Sequence, residues 1–194
     1  MSYDPYIHHR RSVRLQKYDY SQDGFYFVTI CVHDRLPLFG EIVDGEMLLN
    51  DAGRMVENEF LQLPDKYSHI VCHEYVVMPN HFHCIIGISD VNDVQSVGAP
   101  LVGAQKTDQY LGQPQGIAPT VVHPKLGDIV GAFKSVTTNA YIRGVKQCGW
   151  PPFNIRLWQR NYYEHIIRNQ RSYEEISCYI LDNPMHWLDD QLYV

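Results

Sequence analysis

Two histidines one residue apart stand in the middle of an apolar stretch of the chain. The stretch reads VVMPNHFHCII and places His81 and His83 on either side of Phe82. Residues two apart on a β-strand point to the same face, with backbones about 6 to 7 Å apart, so the two imidazoles would lie side by side. Such a pair can bind one metal ion, whereas the alternative is a polar pair on a solvated face. The apolar flanks favour the metal site, because unpaired imidazoles are unfavourable to bury.

The strands and helices around these histidines are predicted from the periodicity of the rest of the chain. Strands are predicted at 25–32, 73–78, 81–88 and near 155–158, with a hairpin turn at Asp44-Gly45. Helices are predicted at 52–63, capped by Asn50 or Asp51, at about 129–140, capped by Asp128, and at roughly 172–182, where Ser172 and Glu175 form a capping box. This order predicts an α+β fold with a ferredoxin-like antiparallel sheet, helices on one face and the two histidines on a central strand.

Length and composition predict one domain over residues 1–194. The segment 89–125 is rich in Gly, Pro, Gln and Ser and has no sustained period, so we expect a flexible insertion there. The five cysteines form no C-x-x-C pair, which favours a reducing compartment. No signal peptide and no run of 18 apolar residues is present, so we expect a soluble, cytoplasmic protein without a membrane partner.

The net charge of −6 at first argues against a nucleic-acid partner. Lysine and arginine are nevertheless concentrated in the stretches 8–18, 134–146 and 156–171. If the fold brings these stretches together, the protein has a basic face on an acidic body; otherwise they are three ordinary solvated surfaces. The group His8, His9, Arg10 and Arg11 is either a basic N-terminal arm or an untethered polar tail.

Three motifs in order resemble one family of enzymes. VVMPNHFH is similar to the HUH motif of the single-tyrosine HUH transposases, and its Met-Pro-Asn lead-in resembles their REP-associated branch. LWQRNYYEHIIRN and YILDNP then follow as in that branch, and the likeness covers roughly residues 20–187. The resemblance implies an enzyme that cuts and rejoins single-stranded DNA, beside a hairpin, through a 5′-phosphotyrosine intermediate.

The resemblance also directs the choice of nucleophile among 14 tyrosines. In the family the tyrosine lies four residues before a polar side chain that completes the metal site, and four residues are one helical turn. Tyr179 has Asn183 at this spacing, whereas the same positions after Tyr162 and Tyr163 are isoleucines. We therefore expect Tyr179 as the nucleophile and Asn183 as the third ligand. The alternatives are a half-buried helix aromatic and a plain C-cap before a proline.

The resemblance implies Mg²⁺ or Mn²⁺ as the cofactor, although imidazole ligands also suit Zn, Ni or Co. The expected phosphate contacts are Lys134, Arg160 and Arg168. His165 either contacts the DNA phosphate, assists proton transfer or is a structural histidine. Trp158 and Tyr162 are predicted either to stack on bases of an unpaired strand or to pack in the core. A non-catalytic DNA-binding module and a metal-dependent nuclease that uses water are the rival functions. Relatives include monomers and dimers, so the resemblance leaves a homodimer open.

Overall fold

The computed structural model describes residues 19–89 and 124–193, which form six strands and four α-helices. The strands are β1 (Gly24–Cys31), β2 (Gly40–Val43), β3 (Glu46–Leu49), β4 (Ile70–Met78), β5 (His81–Ile88) and β6 (Tyr163–Ile167). The α-helices are α1 (Asp51–Leu61), the short α2 (Leu63–Lys66), α3 (Leu126–Cys148) and α4 (Gln170–Asp182). A 3₁₀ segment, Asn183–Asp189, continues directly from α4. The predicted insertion at 89–125 and the predicted N-terminal arm lie, apart from residues 89, 124 and 125, outside the described residues.

The main sheet has four antiparallel strands in the order β4-β5-β1-β6. The strand that carries the histidine pair, β5, is therefore central, as predicted, with β4 on one side and β1 on the other. The register places Cys31 opposite His81 and Thr29 opposite His83. The strands β2 and β3 form a separate hairpin around Asp44 and Gly45, whose φ angles of 52° and 80° fit the predicted turn.

The two faces of the main sheet are covered by different helices. On one face Phe82 packs between Phe60 of α1 and Phe133 of α3 in the main core. On the other face Ile180 of α4 packs in a smaller cluster with Phe27, Ile85 and Ile167. The α+β class with an antiparallel sheet is thus confirmed, while the ferredoxin-like classification stays a prediction. Helices were predicted on one face of the sheet, and α1 and α3 lie there together. In contrast to the prediction, α4 covers the opposite face.

Some predicted element bounds differ from the structure for local reasons. The predicted strand at 155–158 does not form, and only Trp158 makes an isolated β-bridge, with Val32. The fourth strand of the main sheet is instead β6, Tyr163–Ile167. Ile155 has a φ of 59°, which a β-branched residue rarely adopts and which is incompatible with an extended strand. The motif segment that includes YYEH thus supplies the edge of the sheet.

Helix caps account for the remaining differences. Asn50 caps α1, because its side-chain oxygen accepts a hydrogen bond from the backbone N–H of Gly53 at 2.9 Å. Asn169 rather than Ser172 caps α4, and its side-chain oxygen accepts from the Ser172 N–H at 2.9 Å. The predicted cap Asp128 lies inside the first turn of α3, where its carboxylate accepts from the Lys125 backbone N–H. Each of these residues is a good cap former, so packing decides which one is used.

No helix within residues 19–89 and 124–193 is both long and apolar enough to span a bilayer.

Candidate active site

The paired histidines are buried on the face of the sheet that α4 covers. Because side chains alternate along β5, His81 and His83 point together while Phe82 enters the opposite core. Their side chains are 0% and 2% exposed, and their ring centroids lie 4.4 Å apart. This burial excludes the alternative of a polar pair on a solvated face.

Both imidazoles use one nitrogen to contact a neighbouring polar side chain. Nδ1 of His81 lies 2.8 Å from the side-chain oxygen of Asn80, and Nδ1 of His83 lies 2.8 Å from the hydroxyl oxygen of Thr29. The ring of His83 also stacks on Phe27, with centroids 5.4 Å apart. The outer nitrogens, both Nε2, therefore remain for other partners. Nε2 of His81 is buried without a hydrogen-bond partner.

Burial keeps both imidazoles neutral. It lowers the pKa of His81 to about 3, with a further lowering from the positive charge of Arg35. Burial also lowers the pKa of His83 to about 3, assisted by the neighbouring His81 and opposed by Asp190. Since a metal ion binds the unprotonated nitrogen, both rings are ready to act as ligands at neutral pH.

Tyr179 of α4 faces the histidine pair. Its hydroxyl oxygen lies 3.4 Å from Nε2 of His83, and its ring stands edge-on to Phe27 with centroids 6.0 Å apart. The side chain is 48% exposed, so the phenol is accessible from solvent. Burial of the other half and the negative charge of Asp190 raise the pKa of the phenol, whereas a hydrogen bond with Asn183 lowers it.

Asn183 lies one turn after Tyr179 and is 3% exposed. It occupies the C-cap position of α4, which was the structural alternative predicted for it. Its side chain nevertheless points into the site. Its amide nitrogen donates to Oδ2 of Asp190 at 3.3 Å, and its amide oxygen is buried without a hydrogen-bond partner. A buried carbonyl oxygen and a buried imidazole nitrogen that both lack a partner are atoms that a cation could satisfy.

Asp190 is a site residue that the sequence reasoning missed. One ligand atom each from His81, His83 and Asp190 lie within 4.8 Å of one another. The half-buried carboxylate returns to the histidines because the 3₁₀ segment turns the chain back over the sheet. No motif contains it, so the available signal was the acidic pair Asp189 and Asp190 shortly after the YILDNP motif.

The donor atoms fit a divalent cation. Two neutral imidazole nitrogens, one amide oxygen and one carboxylate oxygen would give a mixed nitrogen and oxygen ligand set. The oxygen ligands are those that Mg²⁺ and Mn²⁺ prefer, and the imidazoles suit the later transition metals as well. The ligands therefore agree with the cofactor predicted from the resemblance without selecting between Mg²⁺ and Mn²⁺.

The site opens into a cavity of about 560 Å³. Its lining includes Tyr179, Asp190, Phe27 and Tyr163. Tyr163, the tyrosine rejected as nucleophile, is 50% exposed on β6, and its ring stands 6.4 Å from that of Phe27. The cavity thus offers aromatic surface next to the candidate nucleophile, and both tyrosines are accessible to solvent.

The residues predicted to contact DNA fall into two groups. Arg160, His165 and Arg168 are exposed, and the last two line a second cavity of about 370 Å³ beside the N-terminus of α4. Trp158, by contrast, is 4% exposed, and its indole N–H donates to the Thr137 hydroxyl at 2.8 Å. The alternative of core packing is the one observed for Trp158, which leaves no face of its ring for a base.

Lys134 of α3 contacts the loop before β6, including the ring of Tyr162 in that loop. The ammonium of Lys134 donates to the backbone carbonyls of Gln159, Arg160 and Asn161 at 3.1, 3.5 and 3.2 Å. It also lies 5.3 Å from the ring centroid of Tyr162, which is half-buried against the main core. A role for Lys134 in phosphate binding stays a prediction, and these contacts favour a role in ordering the loop.

Comparisons with known proteins place this chain among relatives. A scan against protein-family models gives no match. An uncharacterized protein of Haemophilus influenzae is 40% identical over 195 residues, which cover 99% of this chain and 97% of that protein.

Two solved structures were also found by comparison. The structure of a REP-associated tyrosine transposase bound to a REP hairpin aligns with a TM-score of 0.52 and 18% identity, over 88% of this chain and 72% of that chain. A crystal structure from Deinococcus radiodurans aligns over 87% of this chain and 95% of that chain at 14% identity, with a TM-score of 0.43, too low to support an argument. The chain therefore belongs to the same protein family as the Haemophilus influenzae protein, and it has the fold of the REP-associated tyrosine transposase.

Proposed function

We propose that this protein cleaves and rejoins single-stranded DNA through a covalent bond to Tyr179. One observation carries the proposal: the accessible phenol of Tyr179 lies 3.4 Å from His83 in a site with two buried, unpartnered metal-ligand atoms. A nucleophile and candidate cation ligands that line the same cavity are what metal-assisted attack on a phosphodiester requires. The likeness to a transposase bound to a hairpin supports single-stranded or hairpin DNA as the partner.

The chemistry assigned to the chain's own residues balances as a transesterification. The phenol oxygen of Tyr179 attacks the phosphorus of a phosphodiester and forms a new P–O bond. The bond from phosphorus to the 3′-oxygen breaks, the phenol proton passes to water, and the 3′-oxygen takes up a proton to become a hydroxyl. In the rejoining step a 3′-hydroxyl attacks the phosphotyrosine, and Tyr179 recovers its proton. No ATP is needed, because the ester bond is conserved.

The remaining residues bind and orient. His81, His83, Asn183 and Asp190 would hold a divalent cation, Mg²⁺ or Mn²⁺, which supplies positive charge beside the phosphate oxygens when bound. Phe27 stacks on His83 and stands edge-on to Tyr179, so it holds the two rings in a fixed relation. The packing of α4 on the sheet then fixes the phenol relative to the imidazole.

The exposed rim would contact the DNA strand. We assign phosphate contacts to Arg160 and Arg168, with His165 beside them, because arginine binds phosphate with paired hydrogen bonds. Tyr163 offers the accessible aromatic surface for a base next to the cleaved bond, a role predicted for Trp158 and Tyr162 but better suited to the exposed ring. Dimer formation and a cytoplasmic location stay predictions.

The test is a covalent-adduct assay. Labelled hairpins with single-stranded flanks, taken from the DNA beside the protein's own gene, are incubated with the protein and Mn²⁺ or EDTA and run on a denaturing protein gel. We expect a shifted, metal-dependent band that is lost in Tyr179→Phe and kept in the matched control Tyr163→Phe.

The other outcomes identify the rival functions. A band that survives Tyr179→Phe and disappears in Tyr163→Phe would move the nucleophile to β6. Cleavage without any adduct would indicate a nuclease that activates water. Tight binding with neither adduct nor cleavage would indicate a DNA-binding module.

A further inference from the structure

We propose that Asn80 is a positioning residue that fixes the tautomer of His81 and so leaves the nitrogen facing the site free to bind a cation. Asn80 forms the turn between β4 and β5 and is 1% exposed. Its backbone carbonyl accepts from the Val32 N–H at 2.8 Å, which ties the turn to the strand end of β1. The side chain next to His81 is therefore held inside the protein.

The orientation of the Asn80 amide follows from its partners. One end of the amide lies 2.8 Å from the backbone carbonyl oxygen of Leu192 and 3.3 Å from that of Arg35. Carbonyl oxygens can only accept hydrogen bonds, so this end must be the NH₂ group. The other end, 2.8 Å from Nδ1 of His81, must then be the amide oxygen.

The tautomer of His81 follows in turn. An amide oxygen only accepts, so Nδ1 of His81 must donate and must carry the proton. A neutral imidazole has one N–H, and Nε2 of His81 is therefore left with its lone pair. This is the nitrogen that is buried without a partner, on the residue that groups with His83 and Asp190. Asn80 thus holds the proton away from the site.

His83 lacks such a selection. Its Nδ1 contacts the hydroxyl of Thr29, and a hydroxyl can donate or accept by rotating. Either tautomer of His83 is compatible with this contact, so the two histidines of the pair differ although they lie side by side. His81 would be the preset ligand of the pair.

Asn80 also connects two parts of the ligand set. Its NH₂ group holds the carbonyl of Leu192, and the Leu192 N–H donates to Oδ1 of Asp190 at 2.6 Å. One side chain therefore bonds directly to a histidine ligand and, through one residue, to the carboxylate. Partners of this kind commonly change metal affinity by 10 to 100-fold when removed.

The first test is the tautomer in metal-free protein. Long-range ¹H–¹⁵N NMR of protein labelled with ¹⁵N-histidine distinguishes a protonated from an unprotonated ring nitrogen. At pH 7 we expect the proton of His81 on Nδ1 in the wild type and in Asn80→Asp, which keeps an acceptor. We expect mixed tautomers in Asn80→Ala. A wild-type His81 with its proton on Nε2 overturns the proposal, and this result needs no variant to fold.

The second test is the affinity for Mn²⁺ alone, measured by titration calorimetry. We expect a loss of about 10 to 100-fold in Asn80→Ala. The matched control is Thr29→Val, for which we expect at most about a fivefold loss, equivalent to one neutral hydrogen bond. Equal losses in both variants would overturn the special role of Asn80. The metal-affinity arm rests on the proposed site, but neither arm uses DNA, so a failed adduct assay leaves the tautomer result intact.

Discussion

The two faces of the central strand β5 are used in opposite ways. Phe82 points into an aromatic core with Phe60 and Phe133 at 5.1 and 5.4 Å between ring centroids. Its neighbours His81 and His83 point to the other face, where their Nδ1 atoms contact the side chains of Asn80 and Thr29 and their rings lie 4.4 Å apart. A single alternating strand can therefore contribute to stability with one residue and hold ligands with the next.

A polar site can be buried in a small sheet when neighbouring side chains satisfy part of its hydrogen-bonding capacity. On the histidine face Asn80 and Thr29 satisfy the inner nitrogens, so the desolvation of two imidazoles is partly offset. Nε2 of His81 and the amide oxygen of Asn183 are left without partners. The opposite face carries the main apolar core, whose internal hydrogen bonds include that of Trp158 to Thr137, and it stabilises the sheet that holds the site in place.

The first prediction concerns the loss of chemistry when the candidate nucleophile on the histidine face is replaced. In Tyr179→Phe we expect adduct formation to fall at least about 10³-fold, because the attacking oxygen is gone. The free energy of unfolding should change by no more than about 0.5 kcal/mol, because the side chain is half-exposed. Chemical denaturation and the gel assay on the same preparation check both statements. A stability loss as large as that of a core variant would contradict the claim that this face serves chemistry rather than stability.

The second prediction concerns the apolar face. Phe82→Ala should lower the free energy of unfolding by about 3 to 5 kcal/mol, because a fully buried aromatic ring leaves a cavity among Phe60 and Phe133. Urea unfolding followed by circular dichroism measures it. The matched control is Phe25→Ala, whose ring is 40% exposed on the other face and should give roughly half that loss or less. Equal losses would argue against a stability role confined to the apolar face.

The third prediction uses pH in metal-free protein. The folded pKa of His81 and of His83 is about 3, below the usual 6.5, so unfolded chains bind more protons between these values. Stability should therefore fall as pH decreases from about 6.5 towards 3, with up to about 1.4 kcal/mol per pH unit from each histidine. His81→Gln should remove one of the two contributions. Denaturant unfolding of the wild type and of His81→Gln at several pH values, with EDTA present, measures this. Identical slopes of unfolding free energy against pH in the two proteins would contradict the prediction.

The smallest expected effect concerns Lys134, which projects from the helix layer of the apolar face. Because its ammonium already donates to three carbonyls, Lys134→Met should leave the salt dependence of DNA binding unchanged. Arg168→Met is the matched control, and it should reduce the slope of log affinity against log salt by about 1. Fluorescence anisotropy at several salt concentrations measures both. The reverse pattern would restore Lys134 as a phosphate ligand.

Local patterns predicted much of the fold and part of the candidate site. The alternation around His81 and His83 identified a central strand, because it depends on neighbours in sequence. The four-residue spacing of Tyr179 and Asn183 corresponds to one helical turn, but it was the resemblance to the transposases that singled this pair out. Asp190 could not be found in this way, because its position depends on how a 3₁₀ segment turns over the sheet.

Local sequence patterns could not predict the contacts of Trp158 and Lys134, two residues that were expected to bind DNA. A tryptophan has the same sequence signal whether it is exposed or packed, and Trp158 is fixed in the core by a hydrogen bond to Thr137. Lys134 is separated by some 25 positions from the carbonyls it holds. Such partners are set by tertiary packing, which periodicity does not encode.

The tryptophan beside the site has an optical consequence. Trp187 is 8% exposed, and its ring lies tilted against His81 with centroids 5.8 Å apart. The other two tryptophans pack elsewhere, Trp158 near Phe133 and Trp150 against Tyr141. A paramagnetic ion on His81 would quench the emission of Trp187 first, so the protein carries its own fluorescent indicator of site occupancy. The indicator would be silent in Trp187→Phe, and it needs neither a dye nor DNA.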